Sequence, residues 1–347
     1  MIEVNLSGVG RNKNLIGIDI GASGIKFVEL EETETGLYLK GVGIEPLPPA
    51  AFVDGAIMDF SVITEVLKRL VEKNGLRGRR AALSVGGHRT ILKNIFLPEM
   101  TMEELARSIA REAEPFIPWA MDEVNFDYFV INPEHGQGQM AVGLVVCKKD
   151  VADDLLRVAG DAGLLPVVVD SGTLAAANVF LLERDFETVA IIDIGTSMTQ
   201  LAILSNGKLV FTRDSSFGSM LAIEEIQRAR GLAYEDADAI LNGYCKSGII
   251  GGDSFACVGR VVNLIVTEIQ RGVQFFTATN GEEKKIERVL LCGGGSLIPE
   301  MEERFSSRLN IPVALFDPFV RIKERKEVPL EKALRLVVAV GLALRKG

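Results

Sequence analysis

The chain has 347 residues, 48% hydrophobic and 24% charged, ordinary globular proportions that exclude a disordered or fibrous protein and suggest two to three domains. Its 38 Lys and Arg against 47 Asp and Glu leave a formal charge of -9, so nucleic acid is not an expected partner.

In chain order, the first informative segment is IGIDIGASGIKFVEL (Ile16 to Leu30), which reads as strand, tight glycine turn, strand. Val62, Ile63, Val66, Leu67, Leu70 and Val71 then recur at helical spacing, with Asp59 or Ser61 as cap and Gly75 as a left-handed stop. Arg77, Arg79 and Arg80 form a basic cluster, followed by His88 and Arg89. It reads as a solvated loop entering a strand, with a contact to a partner's acidic or phosphate groups as the functional alternative. From Arg80 to Asp170 the pattern is strand (AALSVGG), strand (TILKNIFL), helix, strand (VNFDYFVI), strand (MAVGLVVC), helix, strand (PVVVD). The first of these helices opens on a Thr101–Glu104 capping box, runs toward Phe116 and is ended by Pro118. The second runs from about Asp150 to Ala162 and stops at Gly163, and EHGQGQ is a hairpin tip. Residues Ile91 to Leu165 therefore read as a compact insert.

The first hairpin then repeats. AIIDIGTSMTQLAIL (Ala190 to Leu204) aligns with Ile16 to Leu30 without gaps, 174 residues on. A long amphipathic helix, roughly Val258 to Ala278, carries Val258, Val261, Val262, Ile265, Ile269, Val273 and Phe276 on one face. VLLCGGGSLIPEMEERF, from Val289, reads as strand, three glycines and a helix entered through Ser296 and Pro299. The four cysteines (Cys147, Cys245, Cys257, Cys292) are dispersed and the only histidines are His88 and His135, so neither zinc nor a disulfide framework is expected, and a reducing cytoplasm fits. MIEVNLSGVGRNKN lacks the apolar core of a signal peptide, and the apolar run Ala333 to Leu344 is too short to span a bilayer and is interrupted by Arg335. No direct membrane insertion is expected.

Each repeated hairpin ends a buried strand on Asp, followed by glycine and small residues. The backbone N–H groups of Gly21, Ala22, Ser23 and Gly24, and those of Gly195, Thr196 and Ser197 with Thr199 on the return strand, suit phosphate oxygens. Asp19 and Asp193 suit the waters of a Mg2+ ion, and Lys26 can reach the β and γ phosphates as a point charge. Gly293, Gly294, Gly295 and Ser296 remove side chains where a base or ribose can lie against the backbone. A single Asp-x-Gly turn is an ordinary hairpin feature; two in one register carry the argument. There is no GxxxxGK[ST], GGGSLI lacks GxGxxG spacing, and Ser23 with Lys26 forms an SxxK inside a strand-turn-strand with no SDN or KTG in a suitable context.

The order and spacing of these elements resemble the actin, Hsp70 and sugar kinase superfamily: phosphate 1 at Asp19 to Lys26, connect 1 at DSGTLAAANVF (Asp170 to Phe180), phosphate 2 at Asp193 to Thr199, adenosine at Gly293 to Ser296, and connect 2 near Ala339 and Gly341. Within it, LIGIDIGASGIKFVEL, the insert LPEMTMEELARSIAREAEPFIPWAMDEVNFDYFVI, the AGL at Ala162 to Leu164 and VVDSGTLAAANVF resemble the PilM family of type IV pilus assembly proteins, relatives of the division protein FtsA. The resemblance implies an α/β, actin-like (ribonuclease H-like) duplicated two-lobed fold with an α+β subdomain inserted in the first lobe. The expected boundaries are 1–90, 166–185 and 331–347 for the first lobe, 91–165 for the insert and 186–330 for the second.

The resemblance also implies ATP with Mg2+ held between the lobes, with Asp19 and Asp193 on the metal through water. It implies a scaffold, cytoplasmic and peripheral at the inner membrane through partners, that docks the N-terminal cytoplasmic segment of PilN. Contact with the pilus motor ATPase and self-association are further implied. FtsA relatives commonly carry a GG turn before a helix and an AExxK segment near the ribose; here the turn is FGSM (Phe217 to Met220) and the segment ADAIL (Ala237 to Leu241), so Asp238 replaces the Glu while Leu241 cannot replace the Lys. Hydrolysis is expected to be slow or absent, because connect 1 begins with Asp170 and Ser171 where hydrolysing relatives carry Glu or Gln. The alternatives are an FtsA-like filament-forming membrane tether and a sugar or small-molecule kinase, for which no base poised on a sugar hydroxyl can be named.

Overall fold

The computed structural model describes residues 15–182, 187–247, 254–280, 284–323 and 328–345, so the expectations drawn on 1–14, on the Cys245 side chain and on 346–347 lie outside the described residues. The chain divides into two compact units, Met1–Leu181 with Lys208–Phe211 and Val338–Gly347, and Leu182–Gly207 with Thr212–Val337.

In the first unit β1 (Ile16–Gly21) and β2 (Gly24–Thr33) form the first repeated hairpin, with Asp19 opposite Lys26. β3 (Gly36–Pro46) continues the sheet, and β4 (Phe52–Val53) and β5 (Ala56–Ile57) make a small separate hairpin. α1 (Phe60–Lys73) starts at Asp59, whose carboxylate accepts from Val62 N at 3.0 Å, so Asp59 rather than Ser61 is the cap; Gly75 follows at φ +64. β6 (Arg80–Val85) runs parallel to β1. Then come β7 (Thr90–Pro98), α2 (Met102–Ala113), β8 (Val124–Gly136), β9 (Gln139–Lys148), α3 (Lys149–Asp161), β10 (Leu165–Ser171) and α4 (Gly172–Phe180).

The main sheet has the order β10-β6-β1-β2-β3, and β7-β9-β8 is a separate three-stranded sheet. α2 has the expected capping box at Thr101 and Glu104, but it ends at Ala113, short of Pro118. Pro115 lies in a 3-10 turn over Glu114–Phe116, where its missing N–H is harmless but an α-helix interior would not tolerate it. The small sheet and α2 bury Ile95, Leu97, Leu105, Ile109, Val142 and Leu144 together. α3 lies within the 91–165 span, yet its buried residues Val151, Leu155 and Val158 join α1 and the main sheet's Ile16, Ile18 and Leu83.

The second unit repeats the design. β11 (Thr188–Ile194) and β12 (Thr199–Ser205) form the second hairpin, with Asp193 opposite Gln200. β13 (Lys208–Ser215), α5 (Met220–Arg230), α6 (Tyr234–Ser247), α7 (Ser254–Asn280), β14 (Arg288–Cys292), α8 (Met301–Leu309), β15 (Val313–Leu315) and α9 (Leu330–Ala333) complete it, in a sheet of order β13-β12-β11-β14-β15. The apolar stripe expected on α7, from Val258 to Phe276, is buried throughout.

α10 (Val337–Ala343) closes the chain, and from Val338 onward it belongs to the first unit. There Leu15, Ala82, Ala175 and Leu342 form a cluster on the sheet face opposite α1. The contact is made by backbone: a Cβ on Gly341 would overlap Ala175 O of α4, and one on Gly17 would overlap Ala339 O of α10. Gly341→Ala should therefore destabilise the protein by about 1–3 kcal/mol through overpacking, read as a lowered urea midpoint. Gly243→Ala is the control, since a Cβ there meets nothing within 4 Å and should stabilise α6 by roughly 0.5–1 kcal/mol.

Candidate functional site

In the first unit the sheet register assembles one polar row. Lys26 is opposite Asp19 on β1, and Ser84 is opposite Asp170 where β6 meets β10. Side chains link the two pairs: Lys26 Nζ donates to Asp19 Oδ2 at 2.9 Å, and Ser84 Oγ donates to Asp19 Oδ1 at 2.7 Å. Lys26 is only 9% exposed. A Cβ on Gly21 would stand 2.9 Å from the Lys26 ammonium, so glycine makes room for the cation, while Ala22 and Ser23 form the turn itself. Gly24 lies so close to Glu45 O, at 2.5 Å from a Cβ position, that a side chain there would have to displace β3. The result is a compact ammonium, a carboxylate and a glycine turn in contact, a donor set that suits phosphate oxygens beside a hydrated divalent cation.

The second unit builds a different surround for Asp193. Gly195 N donates to Met198 O at 2.9 Å, closing the turn over Thr196 and Ser197. Phe217 to Met220 then clasps it: Ser219 N donates to Gly195 O at 3.0 Å, Met220 N to Thr196 O at 2.9 Å, and Thr199 Oγ1 to Phe217 O at 2.6 Å. Gly218 sits so close that a Cβ would overlap Thr196 O. Thus FGSM retains the glycine the packing needs, and Phe217, in place of a first glycine, contributes through its carbonyl.

Asp193 is in register with Cys292 at the end of β14, and Gly293 follows at φ +80, where a Cβ would overlap Asp193 Oδ1 and Ile194 O. A Cβ on Gly295 would overlap the Ile194 side chain. Ser296 Oγ donates to Gly293 O at 2.7 Å, and Gly293 N donates to Leu334 O at 2.9 Å. Complete burial, with Asp193 adding to it, pushes the Cys292 thiol well above its ordinary range, so it stays a neutral core group. The helix expected directly after the glycines is a 3-10 turn, Gly294–Leu297, and α8 begins only at Met301 after Glu300 in a left-handed conformation. The glycine turn is therefore not a helix N-terminus, and within it Gly294 is partly exposed while Gly293, Gly295 and Ser296 are buried.

Asp170 and Ser171 are both buried, at 5% and 3% exposed. The Asp170 carboxylate does not cap α4; its Oδ1 accepts from Ser171 N at 2.8 Å, and Ser171 makes no side-chain cap either. Arg345 Nε lies 2.6 Å from Asp170 Oδ2, an ion pair without the alignment of a hydrogen bond. Burial pushes the Asp170 carboxyl up, with Arg345 and the Ser171 N–H pulling the other way. Ser84 and Arg345 were not anticipated. Ser84 left one trace, a polar residue inside the apolar strand AALSV, whereas Arg345 left none beyond its place at the end of a small-residue helix.

On α6, Asp238 Oδ2 accepts from Asn242 Nδ2 at 3.0 Å, and burial raises the Asp238 carboxyl while Arg335 and Asn242 lower it. Leu241 is buried at 5% exposed, so that position serves the core.

The model of the family described as type IV pilus assembly protein PilM matches residues 17–347. The chain belongs to that family. Among solved structures, the chain resembles a PilM-PilN type IV pilus biogenesis complex with a TM-score of 0.84, 24% identity and coverage of 96% of this chain and 98% of that one. It resembles the ethanolamine utilization protein EutJ from Carboxydothermus hydrogenoformans with a TM-score of 0.55, 17% identity and coverage of 95% and 89%. MreB5 of Spiroplasma citri bound to ADP matches with a TM-score of 0.53, 15% identity and coverage of 95% of each chain. These likenesses establish the actin-like fold. By sequence the chain is 23% identical over 284 residues to cell division protein FtsA of Escherichia coli K12, covering 75% of this chain and 67% of FtsA.

The raised Asp170 carboxyl sets the sign of a stability test. An unfolded Asp ionises near pH 3.9 and the folded one higher, so the folded state loses stability as pH rises from the unfolded value through the folded one. Asp170→Asn should therefore be at least as stable as the parent at pH 7, with a flatter stability profile across the acid range, measured by urea unfolding. A deficit at pH 7 that vanishes below about pH 4 would show that Arg345 outweighs burial.

Proposed function

We propose that this PilM-family protein is a nucleotide-responsive scaffold of type IV pilus assembly that binds ATP with Mg2+. The observation that carries the reading is the Lys26–Asp19–Ser84 cluster, paired by the repeat with Asp193 against the Gly293 turn. Bound Mg2+ would supply positive charge to phosphate oxygens through its waters. Asp19 and Asp193 would orient those waters, Lys26 would meet the β and γ phosphates, and Gly21 to Gly24 with Thr196 and Ser197 would present backbone N–H groups, the Gly195 N–H being held by Met198 O. Thr199 secures its turn, and Gly293 to Ser296 with Asp238 would take the nucleoside. Asp193→Ala should weaken Mg2+-dependent ATP binding by roughly tenfold or more, about 1.4 kcal/mol, while a parent melting curve unmoved by ATP and Mg2+ defeats the nucleotide reading.

Turnover is the weaker part of the chemistry. Asp170 is tied to Arg345, and Ser171 is a buried hydroxyl, too weak a base to replace a carboxylate. A single-turnover rate below about 1 per second with excess protein is expected; a faster one points to Asp170 as the base.

The docking partner we propose is a PilN-like inner-membrane protein, bound through its N-terminal cytoplasmic segment at the insert and holding the scaffold at the inner membrane near the pilus motor. The likeness to a PilM-PilN complex supports it, and so does the insert itself: β7 and β8 are the edges of its sheet, and Phe96 on β7 is 51% exposed. Since α3 belongs to the main core, the excision that tests this runs from Thr90 to Cys147, which are directly paired across β7 and β9 and can be joined by a short linker. The excised protein should keep its ATP-dependent melting shift and lose PilN. Continued capture of PilN places the docking groove elsewhere, and ATP-dependent pelleting without PilN favours an FtsA-like filament.

A further inference from the structure

α7 buries its apolar stripe within the second unit, and a different stripe of the same helix faces outward. Leu264 and Phe275 stand on it, 43% and 59% exposed. Between them lie Glu268 and Arg271, and at 3.6 residues per turn all four positions fall within about 60° around the helix, along roughly 16 Å of its axis. Read along the chain, the stripe is apolar, acidic, basic, apolar. The apolar pair and the charged pair share one midpoint, between Ile269 and Gln270.

The charges are held in place. Glu268 sits at the inner margin of the stripe, where its carboxylate accepts from Arg213 Nη2 of β13 at 2.5 Å and from Arg271 Nη1 at 3.0 Å. The bond from Arg213 leads in lowering its carboxyl, so the group is ionised at neutral pH. Arg271 gives this bond one of the five N–H groups of a guanidinium and keeps 67% of its side chain exposed. A cation therefore projects outward at a fixed step from the carboxylate that orients it.

A stripe with this symmetry matches its own reverse. Laid antiparallel on a second copy, Leu264 meets the partner's Phe275 and Glu268 meets the partner's Arg271, each contact occurring twice about a two-fold axis. Parallel pairing would instead set arginine on arginine and glutamate on glutamate. We propose that this face of α7 is a homodimer surface, on which two copies of the chain pair antiparallel through Leu264, Glu268, Arg271 and Phe275. The inference is independent of nucleotide binding. A two-fold contact closes at two copies, so it also differs from the head-to-tail contact that builds a filament. Three helical turns alone do not reach the roughly 1,200 Å² that stable complexes bury at the least, so the pairing is weak and follows the local concentration of the protein.

Cysteine cross-linking of the full chain reads the register directly. Cys147, Cys257 and Cys292 are buried, and Cys245→Ser removes the fourth thiol. In that background Leu264→Cys and Phe275→Cys are made separately. Each introduced thiol would lie about 16 Å along the axis from its own counterpart, too far for a disulfide, so neither variant should cross-link alone. An equimolar mixture should give a covalent dimer under mild oxidation. Sedimentation of the parent should show a monomer and dimer in equilibrium, and Phe275→Glu should raise the dimer dissociation constant about tenfold or more. A parent that stays monomeric up to about 1 mM overturns the inference. So does a single cysteine variant that cross-links as fast as the mixture, or a dimer indifferent to Phe275→Glu. The nucleotide reading is untouched by any of these outcomes.

Discussion

Much of the first unit depends on backbone touching backbone where a side chain is missing. Gly17 on β1 admits Ala339 O of α10, and Gly341 of α10 admits Ala175 O of α4, so strand and helices approach as closely as main chains can. Gly17 is two residues before Asp19 and faces the same side of the sheet. Any retreat of α10 would therefore open the face that carries the polar row. The same approach brings Arg345, just beyond α10, to the Asp170 carboxylate. Small residues of β1, α4 and α10, far apart in sequence, thereby determine where two ionisable groups meet.

The duplication is faithful in backbone and unequal in chemistry. Both hairpins pair an Asp at the strand end with a residue on the return strand, but that residue is Lys26 in the first and Gln200 in the second. Asp19 is consequently neutralised where it stands and receives a second bond from Ser84. Asp193 adjoins the glycine turn after β14 instead, its carboxylate close enough to exclude any side chain at Gly293. The first half of the repeat sets its Asp against a cation, and the second sets its Asp against a glycine turn. Gln200 turns toward β13, where its amide lies 3.4 Å from Asp214.

What the sequence made legible were features whose cause is local. The gapless repeat, the Asp59 cap, the Thr101 capping box and the apolar stripe of α7 follow from spacing along one element. The failures have tertiary causes. α3 was grouped with the insert because it is contiguous with it, and only packing shows that Val151, Leu155 and Val158 face α1 and the main sheet. Asp170 stood in the sequence only as the start of connect 1, whereas its burial beside Arg345 comes from a segment 175 residues away. The glycines after β14 suggested a helix start, but Gly293 is consumed by its bond to Leu334 and its approach to Asp193, so the chain must spend a 3-10 turn before α8. Ser84 became visible only when β6 was laid beside β1, because a hydroxyl in an apolar strand acquires meaning from its neighbour.

These constraints bear on how a phosphate-turn motif should be read in an actin-like fold. Gly218 is required by the carbonyl of Thr196, Gly293 by Asp193 and Ile194, and Gly295 by Ile194, each through a contact inside the protein. Such glycines are required by the packing, whether or not a phosphoanhydride is hydrolysed. The residue that orients a water is under no such constraint, since its side chain must remain free to face a ligand. At connect 1 both candidate residues are buried: Asp170 accepts from its own neighbour's N–H and pairs with Arg345 beyond α10, and Ser171 is closed off beside it. On the proposed reading, burial at connect 1 disfavours turnover while internal packing keeps the turns that would meet a nucleotide, the combination a scaffold responsive to occupancy requires.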